Sequence, residues 1–179
     1  MTEERILQML KNPATQREAF GQIVGQYSEQ LYWKIRHVVL EHEDANDVLQ
    51  NTFLKAWQAL DDFQSKSKLY TWLYRIAVNE ALDHLRRQKS NVSADQDISM
   101  ANRLLSDGYF DGDSAQALLQ EAIAQLPEVQ RTVFTLKYYD NMKYSEMSQI
   151  LGTSEGALKA SYHIAVKKIH DYVLNFSQE

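Results

Sequence analysis

The stretch Tyr144-Ser-Glu-Met-Ser-Gln-Ile-Leu-Gly-Thr-Ser-Glu-Gly-Ala-Leu-Lys159 contains a helix stop and a helix start almost side by side. Gly152 follows Leu151 and suits the left-handed conformation that closes a helix. After Thr153, Ser154 offers a hydroxyl to the free amides of a new first turn. From there Leu158, Tyr162, Ala165, Ile169, Tyr172 and Phe176 recur at steps of 4, 3, 4, 3 and 4, an apolar seam on one long helix. Two helices joined by a tight Gly-containing turn, the second amphipathic, have the pattern of a helix-turn-helix. Upstream, Ser114 is the expected N-cap of a helix reaching about residue 125, and Pro127 falls in the first turn of another reaching about Tyr139. These helices form a C-terminal domain over 114–179.

Lys159, His163 and Lys167 recur every four residues away from that seam, with Ser161, Lys168 and His170 beside them. In a helix-turn-helix this face enters the major groove, where Lys and Ser reach base edges or phosphates, and the amides of Ser154 to Gly156 can cap a phosphate. A solvated helix face has the same pattern, and periodicity alone does not separate the two readings.

The N-terminal part, 1–90, shows three helical periods. Phe20, Val24, Tyr27, Leu31, Ile35 and Val38 mark a stripe on a helix from about 14 to 40. Ala45, Val48, Leu49, Thr52, Ala56 and Leu60 mark a second from about 43 to 60, whose first turn carries Glu43, Asp44 and Asp47 at the positive helix end. Leu69, Leu73, Ile76, Ala77, Ala81 and Leu85 mark a third from about 68 to 88. Residues 1–90 carry twelve basic and twelve acidic side chains, whereas Arg103 alone stands against Asp95, Asp97, Asp107, Asp111 and Asp113 in the next segment. That segment, 91–113, lacks a helical apolar period and reads as a flexible acidic linker, of which the part around Ile98 to Leu105 is a candidate short helix on a partner. The expected fold is all-α, two small helical domains joined by the linker.

Composition bounds the rest. The 179 residues are 44% apolar and 24% charged, with net charge −5 and no Cys, which excludes disulfides and thiolate metal sites. No apolar run is long enough for a membrane span or a secretory segment, so a soluble, cytoplasmic protein is expected.

Two further clusters carry chemistry. Phe63 to Tyr74 joins Lys66 and Lys68 to Tyr70, Trp72 and Tyr74, and the same helix ends on Arg86, Arg87 and Lys89. Cations with flat apolar surfaces hold single-stranded DNA, while a packed aromatic helix with a basic last turn has the same composition. Glu41, Glu43, Asp44, Asp47, Gln50 and Asn51 form an acidic, amide-rich face. His37 and Glu41 lie four apart, a metal-compatible spacing on one helix, but the Glu-x-x-His repeat of bundle metal sites is missing and surface acid or a docking face is the stronger reading. His84, His163 and His170 have no nucleophile motif nearby, and there is no Gly-rich phosphate loop. Neither catalysis nor a cofactor is expected.

In this order the motifs resemble the extracytoplasmic function group of bacterial RNA polymerase sigma factors, over about 15 to 90 and 115 to 175. Asp44-Ala-Asn-Asp-Val-Leu-Gln-Asn-Thr-Phe53, continuing to Trp57, resembles the family's region 2.2. Thr71 to Asn79 followed by Leu82 to Arg87 resembles regions 2.3 and 2.4. Leu126-Pro-Glu and the block from Tyr144 to Lys168 resemble region 4. The resemblance implies that Asp47, Gln50, Asn51, Phe53 and Trp57 bind core RNA polymerase at the clamp helices of the beta-prime subunit, with the beta subunit as a further partner. It implies that Gln64, Ser65, Lys66, Lys68 and Leu69, with Ile76 and Asn79, take a flipped base of the minus-10 element, an extrusion repaid by stacking and edge hydrogen bonds. It implies that Ser154, Lys159, Ser161, His163, Ile164 and Lys167 contact the minus-35 duplex of promoter DNA, and that an anti-sigma factor is a partner.

Three departures from the family pattern bear on affinity. Ser161, Ile164 and Val166 stand where Arg is frequent, so fewer phosphates are neutralised. Gln64-Ser65-Lys66 stands where Arg-Gly-Glu is usual, and Asn51 replaces an acid. The competing reading is a stand-alone helix-turn-helix regulator with an N-terminal dimerisation or sensing bundle, which would bind duplex without polymerase. A bundle metalloenzyme would require bound metal.

Overall fold

In the computed structural model, residues 1–63, 67–89 and 114–176 are described, with Asp62, Lys89 and Ser114 by backbone only. The described residues form eight α-helices and one 3-10 turn, and the chain divides into two compact units, Met1–Arg86 and Arg87–Glu179. Gln64, Ser65 and Lys66, and the acidic segment with its Ile98 to Leu105 stretch, lie outside the described residues.

The first unit opens with α1 (Glu3–Leu10), which the apolar periods did not announce. Thr2 caps it by accepting the Arg5 amide, and Glu3 and Glu4 favour its positive end. Asn12 caps α2 (Pro13–Val39), its Oδ1 accepting the Ala14 amide at 3.0 Å, with Pro13 at the first turn where a missing N–H costs nothing. α3 spans His42–Gln58, a 3-10 turn covers Leu60–Asp62, and α4 spans Leu69–Lys89.

The buried stripe of α2 is Ala19, Ile23, Tyr27, Leu31, Ile35, Val38 and Val39. Phe20 and Val24 are only half-buried, so the N-terminal part of the expected stripe is rotated by one residue. The reason is packing: α1 covers one side of α2 through fully buried Ile6, while Phe20 lies over Phe53 and Trp57 of α3. Leu69, Leu73, Ala77, Ala81 and Leu85 of α4 complete this core, with Ile76 half-buried at its edge. Buried Glu80 pairs with Lys55, and His84 Nε2 lies 3.1 Å from Asp44 Oδ1, so two polar links tie α4 to α3.

α2 and α3 are separated by Leu40 at φ 70°, where the helix path breaks. His37 and Glu41 therefore do not share a helix, which removes the metal-compatible spacing read from sequence. His42 is held by Tyr32 Oη at 2.6 Å and faces Asn46 at 3.2 Å. No group of three His, Asp or Glu suited to a metal converges among the described residues.

The second unit comprises α5 (Ser114–Ala124), α6 (Glu128–Tyr138), α7 (Tyr144–Leu151) and α8 (Glu155–Phe176). Ser114 is the first residue of α5, not its cap, and Pro127 caps α6, its carbonyl accepting the Arg131 amide at 2.9 Å. Gly152 takes φ 63° and donates its amide to the Ser148 carbonyl, ending α7 as expected, and Ser154 Oγ accepts the Ala157 amide at 3.3 Å to start α8. Ala122, Ile123, Leu126, Phe134, Ala165 and Ile169 form one cluster, edged by Leu119, Tyr139, Tyr162, Tyr172 and Val173. Phe176, the last position of the expected seam and the last residue of α8, is 58% exposed, so the buried seam stops short of it.

Candidate nucleic-acid interface and docking face

On α3 the steps Asp47, Gln50, Asn51, Leu54 and Trp57 keep one face of the helix, since residues three and four apart are neighbours. Asp47 and Gln50 are exposed and Asn51 half-buried. Leu54 is 60% and Trp57 40% exposed, an apolar centre beside a polar rim. Leu54 was not singled out in the sequence, although it sits seven residues after Asp47 and so belongs to the same stripe. Phe53 is 9% exposed and meets Phe20 edge-on, while Phe20 meets Trp57 edge-on with ring centroids 5.0 Å apart. Phe53 thus supports the face from beneath and offers little surface itself.

A second surface lies on α4. Trp72, Ile76 and Asn79 follow steps of four and three, the first two half-buried and the third exposed. The Trp72 ring packs on Phe63 at 4.8 Å, which ties the α4 face to the segment before it. Lys68 is exposed, but Leu69 is fully enclosed and has no side-chain surface for a base. Its amide instead donates to Glu3 Oε1 at 2.9 Å, so α1 caps the start of α4. Tyr70 stacks on Tyr74 and tilts against Tyr27. Burial first, and the Glu3 carboxylate second, push the Tyr27 phenol above its ordinary value. Tyr70 and Tyr74 therefore belong to the packing of the first unit, and the aromatic surface reduces to Phe63 and Trp72.

The third surface is the outer face of α8. Lys159, His163, Ile164 and Lys167 are exposed and Ser161 is half-buried. The Ser154 hydroxyl is engaged as the cap of α8. Lys159 Nζ lies 5.6 Å from the Tyr144 ring centroid, a contact the spacing within α8 could not reveal because Tyr144 opens a different helix.

Two family models match the chain. The family model Sigma-70 region 2 covers residues 23–91, and Sigma-70, region 4 covers residues 116–169. The ECF RNA polymerase sigma factor SigW of Bacillus subtilis is 30% identical over 174 residues, 91% of each chain. The ECF RNA polymerase sigma-E factor of Escherichia coli is 30% identical over 168 residues, 88% of this chain and 87% of that one. Among solved structures, CnrH in complex with the cytosolic domain of CnrY is similar at a TM-score of 0.62 with 25% identity over 94% of both chains. The sigma factor RpoE of Bartonella quintana, in complex with the anti-sigma factor NepR, shares the fold at a TM-score of 0.64 and 21% identity, covering 86% of this chain and 96% of that one. The match to region 2 across the N-terminal helices leaves a stand-alone regulator with a sensing bundle without support. With both regions present in order and relatives matched across nine tenths of the chain, the protein belongs to the extracytoplasmic function group of the sigma-70 family and is a sigma factor directing promoter-specific transcription initiation.

Proposed function

We propose how the two units divide this work, with 1–90 as polymerase-docking and minus-10 domain, 91–113 as linker and 114–179 as minus-35 domain. Asp47, Gln50, Asn51 and Trp57, with Leu54 added by its exposure, form the face for the clamp helices of the beta-prime subunit, Phe53 propping Trp57. Lys68, Ile76 and Asn79, with the segment Gln64, Ser65 and Lys66, receive the extruded minus-10 base, and Phe63 and Trp72 supply the flat surface on which bases stack. Lys159, Ser161, His163, Ile164 and Lys167 face the minus-35 duplex, with Ser154 fixing the start of α8. The chain acts without catalysing a reaction of its own, in the cytoplasm where polymerase and promoter meet. RpoE and CnrH are each seen with a second protein bound, and in RpoE's case it is an anti-sigma factor. An anti-sigma factor covering the docking and DNA faces is the corresponding regulator here.

The observation that carries this reading is the Leu54–Trp57 patch, exposed apolar surface rimmed by Asp47 and Gln50 on a helix whose opposite side is fully packed. Run-off transcription with purified core polymerase on a promoter library tests it. Initiation should require this chain, and Asp47→Ala combined with Gln50→Ala should weaken holoenzyme formation without altering thermal stability. Equal holoenzyme formation by the double variant would remove the docking assignment.

A further inference from the structure

We propose that Glu3 is a positioning residue for minus-10 recognition, its carboxylate fixing the first turn of α4 and with it Lys68 and Trp72. This rests on the reading of the α4 face as the surface that receives the melted strand.

The residue that opens α4 offers no cap. Lys68 stands just before the helix, its carbonyl accepting the Trp72 amide at 3.2 Å. At that position Ser, Thr, Asp or Asn ordinarily supplies an oxygen to the first turn, and a lysine ammonium only donates. The Leu69 amide belongs to a residue with no exposed surface, so water does not stand in for the missing acceptor. Glu3 Oε1 accepts it at 2.9 Å, from sixty-six residues away. A carboxylate there satisfies the amide and also faces the positive end of the helix.

Glu3 is held in turn. It lies in the first turn of α1, whose Ile6 is fully buried and whose Met9 carbonyl accepts the Thr15 hydroxyl of α2 at 2.8 Å. Burial first, and the Glu3 charge second, raise the Tyr27 phenol of α2, and the Tyr27 ring tilts against Tyr70 of α4 with centroids 5.9 Å apart. The carboxylate thus sits where α1, α2 and α4 meet. From this start α4 carries Lys68 and then Trp72, whose ring packs on Phe63. An uncapped first turn frays, which takes fixed positions from Lys68 and Trp72 while Ile76 and Asn79, further along, keep theirs. Stacking and edge hydrogen bonds offset base extrusion best when the receiving groups are already placed, so ordering that α1 no longer supplies falls on the DNA-binding step. α1 precedes the stretch matched to region 2, residues 23–91, and acts through α4 without touching the strand itself.

The test uses holoenzyme assembled from the full chain and core polymerase, on a promoter it initiates from in the library run-off. Three Kd values are measured: for core, for a duplex carrying only the upstream element, and for single strands carrying the minus-10 element or its single-base substitutions. Glu3→Ala should weaken binding to the matched strand about fivefold, the size of one lost cap, and narrow the gap between matched and substituted strands. Core and duplex affinities should not change. Glu3→Gln keeps an oxygen at the same reach and should bind as wild type does. Glu3→Asp keeps the charge on a shorter arm and should behave as Glu3→Ala does, which carries the comparison if Glu3→Ala melts too low to form holoenzyme. Glu4→Ala removes the neighbouring charge of α1 and no cap, and should match wild type. Wild-type discrimination in Glu3→Ala and Glu3→Asp, an equal loss in Glu3→Gln, or a loss shared alike by all three Kd values overturns the positioning role. Lys68→Ala with Asn79→Ala tests the reading beneath it. Unchanged strand binding in that double variant removes α4 as the minus-10 face and the role of Glu3 with it, whereas a loss there beside wild-type behaviour in Glu3→Ala and Glu3→Asp removes Glu3 alone.

Discussion

Asn141 turns the backbone between α6 and α7 with φ 47°, a left-handed conformation that costs an ordinary residue about 1–2 kcal/mol and Asn less. Asn141→Ala should lower stability by about 1 kcal/mol in urea melts, and Asn141→Gly should leave it unchanged or raise it. Loss of stability in both would mean that the Asn side chain, not its backbone tolerance, holds this turn. On α3 the neighbours Phe53 and Leu54 separate support from contact. Phe53→Ala removes a buried ring and should cost about 3 kcal/mol or more. Leu54→Asp changes a side chain that is 60% exposed, so stability should stay within about 0.5 kcal/mol while holoenzyme formation weakens severalfold. If Leu54→Asp binds core polymerase as tightly as wild type, the patch is not the docking centre.

At the scale of the helices, α2 has a feature that burial does not explain. Gly21 and Gly25 lie in its interior, both exposed, with open space where a Cβ would stand. Glycine in a helix interior costs about 0.5–1 kcal/mol relative to Ala through backbone entropy. Gly21→Ala and Gly25→Ala should each stabilise the chain by about that amount, and a lowered melting temperature in either would mean that the surface is not open. The long helices were legible because their apolar residues recur at 3.6, and the turn around Gly152 was legible because its stop and start signals are local. α1 was not, because what fixes it is tertiary: Ile6 is fully buried under α2, and Glu3 caps a helix sixty-six residues away. The same holds for the candidate site. Leu69 read as part of a DNA loop by its place in a motif, yet packing puts it in the core. That the two helices around Gly152 adjoin was legible from the turn, but the particular contact of Lys159 with the Tyr144 ring depends on side-chain packing that spacing does not give.

For the molecule as a whole, each unit has its own tyrosine chemistry and its own charge. In 114–176 the Tyr172 phenol is pushed up to about 12 by burial first and by its hydrogen bond to, and the charge of, Glu121, and burial is also the largest cause raising Tyr139 and Tyr162. A phenol whose pKa is higher folded than unfolded contributes stability fully below about 10, the unfolded value, and loses it as pH climbs toward the folded value. Thermal melts of the full chain should therefore fall between pH 10 and 12, and less steeply in Tyr172→Phe. An identical fall in the variant would assign the loss to other groups.

Charge is distributed differently from apolar surface along the chain. Residues 1–90 are balanced, and four of the five net negative charges sit in 91–114. We propose that a DNA-binding protein with that balance gains promoter affinity in partnership with polymerase, and that the acidic segment acts through its charge on a basic channel of that enzyme. Negative charge there suits a basic channel that later holds RNA phosphate, because the transcript can displace it. Converting Asp95, Asp97, Asp107, Asp111 and Asp113 to Asn leaves length and hydrogen-bonding capacity close to the original while removing the charge. The variant should bind core polymerase through α3 as before, since that face is untouched, and should give less full-length run-off product with more abortive product. Normal run-off yield at normal core affinity would show that the segment works as a tether alone and that its charge has no part in initiation.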